Sequence, residues 1–391
     1  MRYWVDDSSF ERTEFQRYTQ QALIINQLFG VVPYPLEGFP PNSSNRISQY
    51  RDYFLRFLQY AGTFALYITH IYCAYHMLRI QSRKEISFFM RILYDIQKIT
   101  SIINLTLIFC GCHYSRTKFH TFADRLMNLI QGFYLPNGDH ILERSVKKHQ
   151  CNILIGTLLI FICMICDIIS RPSIIDSCIS MGAFILPTWI TLIALTPFSY
   201  MVNIMEDVCK STNITLKNIV RDQDSRASAD ALYKLEFLQQ KMLAINHLLY
   251  DSANVYGYLF LNILFSSIAI NSVQFWELYQ FCHRKQVSIE NISFAIYCAL
   301  WILLSIVQLV LFLNPNHQVI YQIRKIRLTI CRITRRELVE MAGNFLDQLL
   351  LQETRFLACG IAELDLSILV KISGAVTTNL VLLIQNDTHV E

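Results

Sequence analysis

Charge is scarce in this chain. Lys, Arg, Asp and Glu make up 16% of its 391 residues, against 53% hydrophobic. Soluble domains run nearer a quarter charged, so a water-soluble globule is excluded and a membrane composition is implied. Catalytic signatures are missing too. There is no phosphate-binding Gly-Lys-Ser/Thr loop, no His-Glu-x-x-His and no Gly-x-Ser-x-Gly. Those motifs supply the amide cradle, the paired metal-binding imidazoles and the nucleophile turn of nucleotide, zinc and acyl chemistry. No enzyme activity and no cofactor are expected, and the formal net charge of +4 brings no expectation of a nucleic-acid partner. Internal repeats are absent, which counts against a transporter of inverted halves, although Asp95, Lys98, Asp167 and Lys371 are the residue types of a proton relay.

The twelve cysteines do not form a disulfide framework. Most fall inside apolar stretches (Cys73, Cys163, Cys166, Cys298) or in basic segments (Cys209, Cys331). Cys163-Met-Ile-Cys166 has a zinc-like spacing but no second pair, so it reads as small apolar packing. Cys110, Cys112 and His113 read the same way, ahead of acylation or metal binding. No signal peptide opens the chain. Its first fifty or so residues are polar and broken by Pro33, Pro35, Pro40 and Pro41, so the first span must be its own insertion signal.

What the chain has in abundance is long apolar runs. Crossing a bilayer core takes about 20 mostly apolar residues, and seven stretches qualify: 54–77, 92–112, 151–169, 174–200, 255–275, 291–313 and 360–385. Arg56, Arg91, Asp95 and Lys98 make the first two the least clean. The fold class expected is an all-α membrane protein of seven transmembrane helices. Lys and Arg number 5, 6, 6 and 7 in segments 1–53, 113–150, 201–254 and 314–359, but 3, 1, 2 and 0 in segments 78–90, 170–173, 276–290 and 386–391. Basic loops stay in the cytoplasm. The N-terminus is therefore expected inside and the C-terminus outside, with Asn386–Glu391 as a short outer tail. A G-protein-coupled receptor, the alternative for seven spans, needs the reverse.

The basic segments have helical patterning. Leu235, Leu238, Met242, Ile245 and Leu249 fall on one helical stripe, as do Ile323, Ile326, Ile330 and Ile333. Such stripes need something to bury against. They read as cytoplasmic extensions of the spans, the second having the alternative of an amphipathic helix on anionic lipid. Asn314-Pro315 is expected to end the sixth span. This divides the chain into a cytoplasmic N-terminal segment (1–53), a six-span bundle (54–313), a cytoplasmic basic helix (314–359) and a last span with its outer tail (360–391).

In the last span Gly360, Ser367, Lys371, Gly374, Thr378 and Gln385 line up on one face at 100° per residue, and the remainder is largely apolar. A polar, small stripe on a hydrophobic span faces either other helices or water. Lys371 and Gln385 favour water, because a charge at mid-membrane costs about 2.5–3.5 kcal/mol on insertion scales. One helix cannot enclose a pore, so a water-lining reading implies symmetric oligomers. Lys371 would then snorkel or pair with Glu363 or Asp365.

The stretch Ala358 to Gln385 resembles the final span of insect gustatory receptors, whose signature is Thr-Tyr, five hydrophobics, then Gln-Phe. Thr378, Leu380 to Ile384 and Gln385 match it; Asn379 stands where Tyr is usual and Asn386 where Phe is usual. The resemblance implies a ligand-gated cation channel of the plasma membrane, a tetramer whose last helices surround a central pore. Gln385 is then the gate candidate, with Thr378, Gly374, Lys371 and Asn386 on the same wall, and Asn386 in place of Phe makes a wetter gate ring. Odorant-receptor-like subunits share the inverted plan and are the nearest alternative.

The resemblance also implies a ligand pocket among the second to sixth spans. Candidates at that depth are Tyr94 and Asp95, Phe184 and Trp189, Asn271, Phe275 and Trp276, and Phe294 and Tyr297. Each also has a packing reading: Trp276 as an interfacial belt residue, Asp95 as a partner of Lys98, and Asp167 of Arg171. The set is aromatic and poor in carboxylates, which favours a small bitter or aversive tastant over a sugar. The expected partners are that tastant, the bilayer and further receptor subunits. In intact cells a C-terminal tag should stain with antibody and an N-terminal tag should not, and the Asn42-Ser43-Ser44 sequon should stay unglycosylated; the reverse staining would invert the topology.

Overall fold

The computed structural model describes residues 19, 22–32, 46–82, 88–114, 116–130, 138–171, 173–221, 228–283, 289–352 and 356–387; the sequon at Asn42 lies outside them. The described residues are almost wholly helical. A helical stretch that includes residues 22–28 (α1) precedes α2 (Arg46–Ser82), α3 (Phe88–Tyr114), α4 (Arg116–Ile130) and α5 (Gly138–Ser170). Then α6 (Ile174–Ser180) runs through a π-helical turn, Met181–Ile185, into α7 (Leu186–Arg221). Long α8 (Ser228–His283) and α9 (Ile289–Ile330), α10 (Arg336–Leu351), a hairpin of β1 (Leu357–Ala358) and β2 (Ala362–Glu363), and α11 (Ser367–Asp387) complete the order.

Among the described residues, six segments are long and apolar enough to cross a membrane: Met90–Gly111, Ser145–Ser170, Ile174–Arg221, Ala229–His283, Ile292–Ile330 and Ser367–Gln385. They coincide with the second to seventh spans of the sequence reading. The first, 54–77, lies within α2, where Arg56, Gln59 and His70 hold the average hydropathy down. Yet α2 turns Tyr53, Phe54, Phe57, Phe64 and Tyr72 outward, each at least 60% exposed. A row of outward rings suits hydrocarbon and not water, as a seventh span requires.

The bundle is built around α7. Its residues 190–206 are all buried, and α5, α9, α3 and α8 pack about it. Prolines sit inside two of these helices, Pro197 in α7 and Pro315 in α9. The expected break at Asn314-Pro315 is therefore corrected: α9 continues to Ile330, and the interruption comes at residues 331–335. Proline removes one intrahelical bond at a cost of about 3 kcal/mol. Burial along the continuing helix outweighs it, since Phe312, Leu313, Val319, Ile323 and Ile326 are all at 1% exposure or less. The basic segment after the sixth span is thus the end of α9 followed by a separate α10.

Both apolar stripes are buried. Leu235, Leu238, Met242, Ile245 and Leu249 on α8 share one core with Ile323, Ile326, Ile330 and Ile333, and with Leu338, Phe345 and Leu349 on α10. Polar contacts finish this end of the bundle. Lys241 Nζ donates to the carbonyls of Asn128 (3.0 Å) and Leu129 (3.2 Å) at the end of α4, where the helix dipole favours a cation. Arg125 pairs with Asp251, and Arg327 donates to the Leu349 carbonyl. The lipid-surface alternative for the second stripe is therefore set aside. Ile326→Ala should cost about 2–5 kcal/mol and lower the thermal midpoint of the purified protein. Leu328→Ala, at a position 65% exposed, should leave it unchanged; equal effects would contradict the buried stripe.

Candidate functional site

Between α3, α7, α8 and α9 lies a polar cleft. From α3 it takes Gln97, Thr100, Ser101 and Asn104; from the π turn and α7, Phe184, Pro187, Thr188 and Thr191; from α8, Ser266 and Ile270; from α9, Gln308. Its volume is about 20 Å³, room for roughly one water. Gln308 Nε2 closes one side by donating to the Thr188 carbonyl (3.1 Å). Asn262 Nδ2 ties α8 to α3 through the Thr100 carbonyl (2.9 Å) and Asn104 Oδ1 (2.8 Å). The Gln97 side-chain oxygen is buried without a hydrogen-bond partner. An acceptor left so costs about 1–3 kcal/mol, which an entering hydroxyl or amine would recover.

The π turn that delivers Phe184 is held from α2. His70, fully buried, places its Nδ1 3.0 Å from the Gly182 carbonyl and its Nε2 3.1 Å from Ser101 Oγ. A Cβ on Gly182 would stand 2.4 Å from Cys73 Sγ, so only glycine allows this approach. Cys163 packs beside Cys73, Cys298 and Trp301 in one apolar cluster, as its reading as small apolar packing expects. Among the Cys110 group, the Cys112 and His113 side chains fall outside the described residues.

Of the pocket candidates, only Phe184 lines the cleft, which is polar rather than aromatic. Asn271 sits deeper, donating to Ser305 Oγ (3.2 Å). Trp189 turns away, its indole N–H on Thr157 Oγ1 (3.3 Å) and its ring edge-on to Phe29. Phe275 is 39% exposed. Trp276 is buried with Met90, Val273 and Leu383, which excludes the belt reading. Tyr94 donates to Glu277 Oε1 (2.5 Å) beside it, and Asp95 pairs with Lys98 (3.7 Å). Phe294 stacks on Tyr297, which meets Trp301 edge-on.

Ten of the eleven residues lining the cleft are not among the sequence candidates, and four of them share a visible signal. Gln97, Thr100, Ser101 and Asn104 are spaced i, i+3, i+4 and i+7, a polar stripe on an apolar helix like the one recognised on the last span.

On α11 that stripe is real but shorter. Gly360 does not belong to it. Cys359 and Gly360 have φ of 53° and 72°, the left-handed region that no helix continues, and they turn the β1–β2 hairpin instead. The last helix begins at Ser367, whose backbone N–H (3.0 Å) and hydroxyl donate to Asp365 Oδ1, an N-terminal cap. Ile368, Ile372, Val376 and Leu383 face the bundle and are buried. Asn379 Nδ2 donates to Ser272 Oγ on α8 (3.2 Å). Lys371, Gly374, Thr378 and Gln385 are all exposed, and an added Cβ on Gly374 would meet nothing within 4 Å. The Asn386 side chain lies outside the described residues.

At one end of α5, Asp167 is fully buried. Its Oδ1 accepts from Arg171 Nε (2.8 Å) and Ser180 Oγ (3.3 Å), and Arg171 Nη2 also donates to Ser180 Oγ (2.8 Å). The pair expected at i, i+4 thus fastens α5 to α6. Removing one member of a buried pair strands the other, at about 3–5 kcal/mol. Arg171→Met should sharply reduce the folded fraction at the cell surface, and Asp167→Asn added to it should restore much of the loss; no rescue would contradict the pairing.

A model of the 7tm chemosensory receptor family matches residues 22–388. The fold is similar to that of the insect olfactory receptor OR5 from Machilis hrabei, at 11% sequence identity and a TM-score of 0.68 over 97% of this chain and 100% of that one. The structure of the same receptor in complex with eugenol gives 11% and 0.69 over the same shares. No curated protein sequence matches.

Proposed function

The chain belongs to the 7tm chemosensory receptor family, and from that premise we propose that it is a gustatory receptor. In this reading it is a small-molecule-gated, non-selective cation channel of the plasma membrane that works as a tetramer, alone or with other gustatory receptors. Its N-terminal segment lies in the cytoplasm and the segment after the last span outside, as the basic-loop distribution favours. The observation that carries the proposal is the arrangement of α11. It is the least buried of the six apolar spans, and its exposed face carries Lys371, Gly374, Thr378 and Gln385. The Thr378 hydroxyl is held by the Gly374 carbonyl of its own helix (3.0 Å), but the exposed Lys371 ammonium needs water or a partner subunit in a membrane, and a pore shared between copies supplies both.

The ligand is a compact molecule entering the cleft between α3, α7, α8 and α9. Among the described residues no carboxylate lines that cleft, which favours a bitter or aversive tastant over a sugar. The polar lining adds a requirement for at least one hydroxyl or amine donor, to meet Gln97. The solved olfactory receptor was captured with eugenol, which supports a small-molecule ligand here. An odorant-type subunit is the second reading, favoured by that shared fold; the spacing from Thr378 to Gln385 favours taste.

Whole-cell recording against a panel of small bitter compounds tests the assignment. An agonist that donates a hydrogen bond should lose roughly tenfold in apparent affinity with Gln97→Leu, the equivalent of about 1.4 kcal/mol, at unchanged surface expression. A panel without agonists, or an unaltered concentration–response curve, would count against the cleft as the binding site.

A further inference from the structure

Pro197 leaves a gap in the hydrogen bonding of α7. Lacking an N–H, it cannot donate to the carbonyl of Ile193 four residues earlier, and a buried carbonyl without a donor is costly. Two other donors reach it. Thr196 Oγ1 does so from within the helix at 2.9 Å, and Asn26 Nδ2 does so from α1 at 2.7 Å. Asn26 is fully buried and distant in sequence, so the donor that proline removes is replaced by a different part of the chain.

The segment carrying Asn26 is bound on every side. Next to the proline, the Thr196 carbonyl lies 3.1 Å from His149 Nδ1 on α5, and His149 Nε2 lies 2.7 Å from the Ala22 carbonyl of α1. From α2, Gln59 Nε2 donates to the carbonyls of Gln27 (2.5 Å) and Val32 (3.0 Å). Leu23 and Val32 are fully buried in the main core. Gly30 turns the segment at φ +66°, with Thr63 Cγ2 2.0 Å from where a Cβ would stand. Residues 22–32 thus form a strap across α2, α5 and α7 at Pro197. About two to three turns before Pro197, α7 contributes Pro187, Thr188 and Thr191 to the cleft.

We propose that this strap is a conformational clamp: by adding a donor to the Ile193 carbonyl that Pro197 leaves without its helical partner, Asn26 fixes the α7 backbone there and holds the cleft in its narrow, resting form. Loosening it lowers the cost of opening. The gating consequence rests on the channel reading above; the clamp itself does not.

A double-mutant cycle between Asn26 and Pro197 tests both parts. Asn26→Leu keeps the buried volume and deletes the donor, while Pro197→Ala returns the helix's own N–H to Ile193. In purified full-length protein, Asn26→Leu should lower the thermal midpoint by roughly 2–4 °C, and in the Pro197→Ala background that loss should shrink to less than half. Equal losses in the two backgrounds would overturn the clamp, because Asn26 would then stabilise the protein by something other than the vacant carbonyl. In recordings, Asn26→Leu should raise ligand-free current and move the agonist concentration–response several-fold to the left. Thermal coupling with unchanged gating in a conducting wild type would overturn the resting-state role and leave the strap structural. Thermal coupling with no current from the wild type would instead count against the channel reading.

Discussion

Phe260 is fully buried where four segments of the chain meet. Its ring stacks on Phe312 of α9 at 4.6 Å with the planes 10° apart, and meets Phe198 of α7 edge-on at 4.6 Å. Phe356, leading into the hairpin, closes the group at 5.6 Å from Phe198. Each such pair contributes about 0.5–1.5 kcal/mol beyond its buried area. That matters more in lipid than in water, since hydrocarbon gives helices no hydrophobic reason to associate and close packing must hold them together. The cluster sets the spacing of α7, α8 and α9, and through Phe356 it anchors the hairpin that launches the last helix. The Gly257 backbone on α8 allows the approach: a Cβ there would come within 3.0 Å of the Cys359 nitrogen.

Helix α8 therefore serves two sites. Ser266 and Ile270 face the cleft, while Ser272 accepts from Asn379 of α11, and Val273 and Trp276 pack against Leu383. All lie within about three turns of one rigid helix. Asn379 stands at the position where the resembling family has tyrosine, and a short amide bridges to α8 there. The cleft wall and the contacts that hold α11 are thus carried by one helix, without any further element between them.

Much of this was legible in the primary structure because it rests on periodicity. The second to seventh spans, the two buried stripes and the polar face from Lys371 to Gln385 all follow from helical spacing and hydropathy. What escaped depends on tertiary compensation. Pro315 reads as a helix end because local propensity says so, yet the burial of Val319, Ile323 and Ile326 carries α9 through it. Gly360 falls on the right angle of a helical wheel, yet it turns a hairpin whose left-handed residues no wheel reveals. The aromatic pocket candidates follow from the depth that the family resemblance implies, and most of those rings pack against neighbours. Asn26 was invisible for a different reason: its role exists only because Pro197, far along the chain, lacks a proton.

The exposed face of α11 is proposed to line a water-filled pore shared between subunits. Cysteine substitution along that helix, with a charged methanethiosulfonate reagent applied during agonist-evoked current, tests it most directly. Gly374→Cys, Thr378→Cys and Gln385→Cys should each lose current on modification, whereas Ile372→Cys and Val376→Cys, on the buried face, should not respond. Modification of Thr378→Cys detected chemically but without effect on current would place that face against lipid or a neighbouring protein, and would contradict the pore.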